Sequence, residues 1–188
     1  MQVAAVVLAA GASERLGEPK QLAMLGEETL LTRAVRVVRE AGCSPVVVVV
    51  GAEHVRVLQH GALSDAVTVI NDKWEEGMAS SIRVGVRALG FVAKEAEGVV
   101  LMTCDQPAVT VKHLSRLMLR AEVKASRYAG KNGVPAFFPK EYFERLMELT
   151  GDAGARELLL DAQSEVLENG ELDVDRPEDL RRARELFG

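Results

Sequence analysis

Residues 3–20 read VAAVVLAAGASERLGEPK and contain the feature that decides the fold, an apolar run that passes directly into a charged, glycine-containing segment. The run at 3–9 (VAAVVLA) shows no alternation of apolar and polar residues, which indicates a strand covered on both faces. Such a strand is typical of a parallel sheet between two layers of helices. Because ligands bind at the carboxyl ends of these strands, we expect the following loop to carry chemistry.

The rest of the chain alternates apolar runs with amphipathic stretches. Five valines at 46–50 predict a second strand. The other predicted strands are 67–70, 98–102, 136–138 and 165–167, and the predicted helices are 28–41, 53–59, 79–89, 111–121, 141–149, 155–161 and one starting near Pro177. This order predicts an α/β fold with three layers, a Rossmann-like, mostly parallel sheet with helices on both faces. A length of 188 residues fits one domain over 1–188.

The composition argues against several classes of function. The net charge is −5 and the pI about 5.4, whereas a domain that tracks a nucleic-acid backbone is usually basic. Cys43 and Cys104 are too few and too far apart for a disulfide framework or a metal site. The apolar start is too short to span a bilayer and lacks a basic flank. We therefore expect a cytoplasmic location, with neither nucleic acid nor membrane as a partner.

The loop at 11–20 combines small residues with two cations. Small side chains near Gly11 let backbone N–H groups approach a phosphate chain, and Arg15 and Lys20 add positive charge. The dinucleotide fingerprint G-x-G-x-x-G is excluded because Gly11 and Gly17 are too far apart, and a P-loop is excluded because no Ser or Thr follows Lys20. On these residues alone, a phosphate-binding loop and a surface loop with incidental charges both stay open.

Acidic residues follow the predicted strand 98–102 and precede the last predicted helix. Asp105 would face the ligand crevice, and a carboxylate there suits magnesium, which takes one or two carboxylates besides substrate phosphates. Asp173 and Asp175 share a face if their segment is extended. The residues alone fit equally well a turn role for Asp105 before Pro107 and a helix-capping role for Asp175.

A series of segments, in order, resembles those of the MobA-like nucleotidyltransferase family, and in particular its molybdenum cofactor cytidylyltransferase branch. The segments are LAAGASERLGEPK (8–20), NDKWEEGMASS (71–81), CDQP (104–107), GVPAFF (133–138), GDAGAR (151–156) and DVDRPEDL (173–180). The resemblance runs from 8 to 180, nearly the whole chain. It implies the nucleotidyltransferase version of the three-layer fold.

By position, the resemblance implies a role for each motif. Its first segment implies that Ala10, Gly11 and Ser13 cradle the triphosphate and that Arg15 and Lys20 stabilise the charge of the leaving pyrophosphate. The other implied residues are Gly77, Ser80 and Ser81 beside the base and ribose, Gly133, Pro135 and Arg156 at the acceptor, and Asp105 and Asp175 as Mg²⁺ ligands, with Asp173 as the alternative to Asp175. Arg15, Lys20 and Asp105 would be the catalytic group.

The implied reaction is transfer of CMP from CTP to the phosphate of molybdopterin, giving molybdopterin cytosine dinucleotide and pyrophosphate. An apo-molybdoenzyme is a further candidate partner. Three alternatives stay open: the same fold using GTP or another phosphorylated acceptor, a non-catalytic protein that delivers the molybdenum cofactor, and an NAD-linked oxidoreductase. The absence of G-x-G-x-x-G argues against the last of these.

Overall fold

A computed structural model describes residues 1–60, 63 and 66–188 of the chain. Within these residues, seven strands form a central sheet and two short strands form a separate hairpin. The strands are β1 (Val3–Ala9), β2 (Met24–Leu25), β3 (Glu28–Thr29), β4 (Val46–Val50), β5 (Val67–Ile70), β6 (Gly98–Thr103), β7 (Lys124–Tyr128), β8 (Lys131–Pro139) and β9 (Gln163–Val166). The α-helices are α1 (Leu30–Glu40), α2 (His54–His60), α3 (Met78–Val92), α4 (Val111–Leu117), α5 (Phe143–Met147) and α6 (Pro177–Phe187).

The central sheet has the strand order β5-β4-β1-β6-β8-β7-β9. The first four of these strands are parallel to one another, β8 is antiparallel to both of its neighbours, and β9 is parallel to β7. Apolar clusters pack helices against both faces of this sheet. The predicted three-layer α/β fold with a mostly parallel sheet is therefore confirmed.

The unbroken apolar run of β1 is explained by burial on both faces. Ala5 and Val7 pack in one cluster with residues of α1 and α4, whereas Ala4 and Val6 pack in another with residues of α3 and α5. Helix α3 approaches closely because it carries a glycine at the contact: a Cβ on Gly85 would lie 2.4 Å from Cγ1 of Val6. Both sides of the strand are interior, so no polar residue interrupts its sequence.

A third apolar cluster joins the first loop to the end of the chain. Leu16 from that loop and Leu25 from the hairpin pack with Val174 and with the buried side of α6. The N–H of Val174 donates to the carbonyl of Asp105 at 3.0 Å. The segment before α6 is thereby held against the carboxyl end of β6, where the predicted site lies.

The hairpin of β7 and β8 is the main feature that the sequence did not predict. β8 begins at Lys131, before the predicted strand 136–138, and β7 pairs with it where no strand was expected. The pairing shifts register between Ala125 and Ser126. A bulge of this kind interrupts the two-residue period on which strand prediction depends.

Several helices begin or end at other residues than predicted, because capping and strand pairing override the periodicity of the sequence at helix ends. The predicted helix 28–41 starts at Leu30 because 28–29 pairs in the hairpin and the Thr29 hydroxyl accepts a hydrogen bond from the Thr32 N–H at 3.1 Å. The predicted helix 111–121 ends at Leu117, and the predicted helix 141–149 is shortened to α5 with a 3₁₀ turn before it. The predicted helix 155–161 is only a 3₁₀ turn at Arg156–Leu159. The predicted strand 165–167 corresponds to β9. In the described part of the chain, no helix is long and apolar enough to cross a membrane.

Candidate active site

The loop after β1 folds back on itself and brings Lys20 to the carboxyl end of the sheet. Ser13 has a left-handed backbone with φ of 58°, and its hydroxyl accepts a hydrogen bond from the Lys20 N–H at 3.1 Å. The carbonyl of Ser13 accepts a hydrogen bond from the N–H of Leu16, whose side chain is buried in the third cluster. The backbone of Lys20 is therefore fixed, while its side chain points into the site.

Gln21 holds the start of the same loop and was not predicted as a site residue. Its side chain is completely buried, and Nε2 donates to the carbonyls of Ala9 at 2.8 Å and Gly11 at 3.0 Å. These two bonds orient the backbone at the end of β1. In the sequence, Gln21 is simply a polar residue between Lys20 and the apolar Leu22. That position does not show where its side-chain amide points.

Four charged residues from three parts of the chain form one cluster around Lys20 and Asp175. Nζ of Lys20 lies 2.5 Å from Oδ2 of Asp105 and 2.9 Å from Oδ1 of Asp175. The guanidinium of Arg15 contacts the other oxygen of Asp175 at 3.0 Å. Asp175 is bound by these cations and is not the N-cap of α6. The carboxylate of Asp179, in the first turn of α6, accepts hydrogen bonds from the backbone N–H groups of Asp175 and Arg176. The structure thus brings together all four charged residues that the sequence singled out for the phosphates and the metal.

The electrostatics of this cluster favour the charged forms. Burial alone would lower the pKa of Lys20, but the Asp105 carboxylate and, after it, Asp175 outweigh burial and hold that pKa above its ordinary value. Partial burial would raise the pKa of Asp175, but Lys20 and then Arg15 lower it below the ordinary value of 3.8. Both groups are therefore ionised at neutral pH.

The donor set fits a divalent cation that also binds phosphate. Oδ1 of Asp105 is buried and has no hydrogen-bond partner within the described residues, a costly state for a carboxylate oxygen that a cation would relieve. With Asp175 it makes a pair of hard oxygen ligands, as magnesium and manganese prefer. Among the residues described, no group of three or more His, Cys, Asp or Glu could hold a metal alone. Substrate phosphates and water would complete the coordination.

Asp173 lies close to this pair but has different partners. It interacts with Gln106 and is not bonded to Lys20 in the structure. Although Asp173 as a whole residue is exposed, burial of its carboxyl group and then the carboxylates of Asp105 and Asp175 raise its pKa to about 7, with Lys20 opposing them. Of the two candidate acids before α6, Asp175 is the one that shares the Lys20 ammonium group with Asp105.

Two cavities meet at Lys20 and Asp105. The first cavity, of about 660 Å³, lies on the side of β1 and α3, and the second, of about 430 Å³, lies on the side of β7 and β8. Both volumes are in the range of small-molecule sites. Residues that line both cavities are Lys20, Met78, Thr103, Asp105 and Asp152.

Most of the residues expected to bind substrates line one of these cavities. Ala10, Gly11, Gly77 and Ser81 line the first cavity, and Gly133, Arg156 and Asp175 line the second. Ser13 and Arg15 line neither cavity and are instead bonded to Lys20 and Asp175, as described above. The predicted binding residues are therefore divided by Lys20 and Asp105 into two groups, with one cavity for each.

Besides Ser13 and Arg15, two more of the predicted residues line neither cavity. Ser80 is buried, with Oγ accepting from Asn71 and lying 2.9 and 2.8 Å from the carbonyls of Lys73 and Gly77, so its hydroxyl is used within the protein. Pro135 is also buried, and its carbonyl accepts from Ser126. Both residues lie in segments beside the cavities, and sequence reasoning could not separate them from neighbours that do line a cavity, such as Ser81 and Val134.

The fold and this site define a nucleotidyltransferase. The sequence profile of the MobA-like NTP transferase domain matches residues 5–166, and the chain belongs to this family. The chain is 31% identical to the purine catabolism protein PucB of Bacillus subtilis (95% of this chain, 94% of that protein). It is 30% identical to the nicotine blue oxidoreductase of Paenarthrobacter nicotinovorans (84% and 81%) and 24% identical to the molybdenum cofactor cytidylyltransferase of Escherichia coli (97% and 95%).

Solved structures agree with this assignment. Rv0371c from Mycobacterium tuberculosis is 34% identical and superposes with a TM-score of 0.83 over 98% of both chains. A structure of Rv0371c in complex with manganese has a TM-score of 0.79 at 32% identity, covering 99% of this chain and 100% of that one. The profile match confirms the family resemblance seen in the sequence, and the solved structures show that similar proteins share the fold, one of them in complex with manganese.

Proposed function

We propose that this chain transfers CMP from CTP to the phosphate of molybdopterin, producing molybdopterin cytosine dinucleotide and pyrophosphate. The observation that carries the proposal is the position of Lys20, which bridges Asp105 and Asp175 where two cavities of substrate size meet. Relatives of this family include a molybdenum cofactor cytidylyltransferase and a probable molybdenum cofactor guanylyltransferase, which support the choice of acceptor.

In the proposed reaction, an oxygen of the acceptor phosphate attacks the α-phosphorus of CTP. The bond from that phosphorus to the oxygen bridging it to the β-phosphate breaks, and pyrophosphate leaves with the electron pair. The attacking oxygen is already anionic at neutral pH, so no general base is required. The task of the protein is to hold two polyanions together and to stabilise the developing charge.

Each part of the site has a role in this proposal. The backbone of Ala10 and Gly11, oriented by Gln21, would receive the triphosphate in the first cavity. Lys20 would stabilise the charge that develops on the leaving pyrophosphate, assisted by Arg15. Asp105 and Asp175 would hold Mg²⁺, which when bound supplies positive charge to the phosphate oxygens.

The second cavity would hold the acceptor. Its lining contains acids as well as cations, and Arg156 and Lys131 are the cations besides Lys20 that would contact the anionic end of the acceptor. Gly133 leaves room beside the hydroxyl of Tyr128. We propose that residues 1–188 act as one nucleotidyltransferase domain. The family match ends at 166, yet Asp175 from the segment after it lies in the site.

Pyrophosphate release tests this proposal. Purified protein, Mg²⁺ and molybdopterin are mixed with CTP, GTP, ATP or UTP, and CTP should release pyrophosphate fastest. Lys20→Ala and Asp105→Ala should each slow release by about 10²–10³-fold. Lys112→Ala, which removes an exposed lysine on α4, should leave the rate unchanged. Near-normal turnover in both site variants would show that the assigned roles are wrong.

The same experiment separates the alternatives. A faster rate with GTP, or with another phosphorylated acceptor, would keep the reaction class and change the substrates. Cofactor binding without pyrophosphate release would indicate a delivery protein. Because one relative is named an oxidoreductase, binding of a nicotinamide dinucleotide is measured in parallel, and we expect none.

A further inference from the structure

The ammonium group of Lys20 lies between the two carboxylates that would hold a metal ion. It contacts one oxygen of Asp105 and one of Asp175 at the same time. The side chains of Lys20 and Asp105 are only 16% and 12% exposed, so the contact is enclosed by protein. Together with Arg15, which contacts Asp175, Lys20 balances the charge of these two acids from within the chain.

We propose that Lys20 is the resident cation of this site, and that a divalent metal ion gains both carboxylates only together with the nucleoside triphosphate. The triphosphate draws the ammonium group away from the acids and onto its own phosphates. This inference rests on the proposed function and adds to it an order of binding, in which the metal arrives with the nucleotide and not before it.

The charges explain why the free protein should hold the metal weakly. Asp105 and Asp175 carry two negative charges, and Lys20 and Arg15 already supply two positive ones within hydrogen-bond distance. An incoming divalent ion would have to displace the ammonium group or lie beside it, and repulsion at such distances is large in a partly buried site. A nucleoside triphosphate brings several negative charges, which reverses this balance.

The geometry allows Lys20 to change partners without moving the backbone. Its N–H is bound by the Ser13 hydroxyl at 3.1 Å, and its carbonyl accepts from the Ala23 N–H at 3.1 Å. The ammonium group is carried on a flexible four-carbon stem, and Lys20 lines both cavities.

The acid that Lys20 would leave behind keeps its place. The carbonyl of Asp105 is fixed by the N–H of Val174, and Oδ1 is buried with no partner within the described residues. The oxygen ligands are therefore in place before the exchange, and only the cation needs to change.

Mn²⁺ binding without nucleotide tests the resident-cation role, with electron paramagnetic resonance as the readout of free Mn²⁺. Lys20→Met removes the charge and keeps an unbranched side chain, and it should bind Mn²⁺ at least about tenfold more tightly than the wild type. The double variant Lys20→Met/Asp105→Asn should lose this gain, and Lys112→Met should bind as the wild type does. Lys20→Gln serves as a second variant, and circular dichroism checks the fold of each.

A second arm adds α,β-methylene CTP, which cannot be split at the reacting bond. Wild-type Mn²⁺ binding should then tighten to at least the level of the Lys20→Met protein. If Lys20→Met and Lys20→Gln bind Mn²⁺ no better than the wild type, while the analogue still tightens wild-type binding, the resident-cation role is overturned and the proposed function stands. If the analogue neither binds nor changes Mn²⁺ affinity, the order of binding is overturned together with the proposed function.

Discussion

Oδ1 of Asp152 accepts a hydrogen bond from the backbone N–H of Met78 at 3.3 Å, joining positions 74 residues apart. The neighbouring carbonyl of Gly151 accepts from the N–H of Ala79 at 3.2 Å. Since Met78 and Asp152 both line both cavities, this contact ties the first turn of α3 to the turn that borders the acceptor side. A ligand in the second cavity therefore touches a residue that positions the wall of the first.

Asp152→Ala should loosen the start of α3, because the N–H of Met78 loses its acceptor. We expect the free energy of unfolding to fall by about 0.5–2 kcal/mol in urea denaturation. Calorimetry should show weaker binding of the nucleoside triphosphate. Asp152→Asn is the matched control, because its amide oxygen can still accept. An equal loss in both variants would mean that the carboxylate charge matters and the hydrogen bond does not.

Gly77→Ala should be destabilising for two reasons. The backbone at Gly77 has φ of 97°, which L side chains rarely adopt, and a Cβ there would lie 2.8 Å from the carbonyl oxygen of Gly151. Strain of this kind costs about 1–3 kcal/mol. Gly90→Ala, in the helix that follows, meets nothing within 4 Å and should gain about 0.5–1 kcal/mol. Guanidinium unfolding of both proteins checks this, and a Gly77→Ala protein as stable as the wild type would contradict it.

Gln21→Leu should affect both stability and nucleotide binding. The carbonyls of Ala9 and Gly11 lose their shared donor, and an unsatisfied buried acceptor costs about 1–3 kcal/mol. The dissociation constant for the triphosphate, measured by calorimetry, should rise with it. Gln59→Leu changes an exposed glutamine in α2 and should alter neither the stability nor the dissociation constant for the triphosphate. Lower stability with unchanged nucleotide affinity would limit Gln21 to a role in the fold.

His113 should make the protein less stable as the pH falls. The ring is buried and its Nε2 lies 2.7 Å from Oγ of Ser126, which donates to the carbonyl of Pro135. Burial lowers the pKa of His113 below its ordinary value of 6.5, with Glu165 opposing this effect. Between the pKa of His113 in the folded protein and that in the unfolded chain, the histidine is protonated only in the unfolded chain. The free energy of unfolding therefore falls as the pH drops below about 6.5.

The measurement is the free energy of unfolding in urea from pH 5 to 8 for the wild type and His113→Gln. Asp173 acts in the opposite direction over part of this range, because its pKa is raised to about 7. The difference between the two proteins is therefore the quantity that reports on His113, and the variant should lose less stability toward pH 5. Ser115→Ala, on the exposed side of the same helix, should behave as the wild type does. Parallel curves for wild type and His113→Gln would rule out the histidine as the cause.

The predictions from sequence succeeded where one local pattern decided the outcome. Strands β1 and β4 are buried along their whole length, so an unbroken apolar run was sufficient to find them. Strands β7 and β8 were missed or shortened because their pairing contains a bulge and their burial is mixed. Ser80 and Ser81 look alike in the sequence, yet only the second lines the first cavity.

By itself, the sequence determined the parallel α/β core, the order of the motifs and the residue types suited to phosphate and metal, because apolar runs and charged side chains have the same chemistry wherever they lie. Only the tertiary structure decided which of these residues meet. Packing of Val174 in the third cluster holds Asp175 beside Lys20 and Asp105, while Asp173 interacts with Gln106. Contacts between residues so far apart in the chain depend on how the layers pack, and packing is a property of the whole fold.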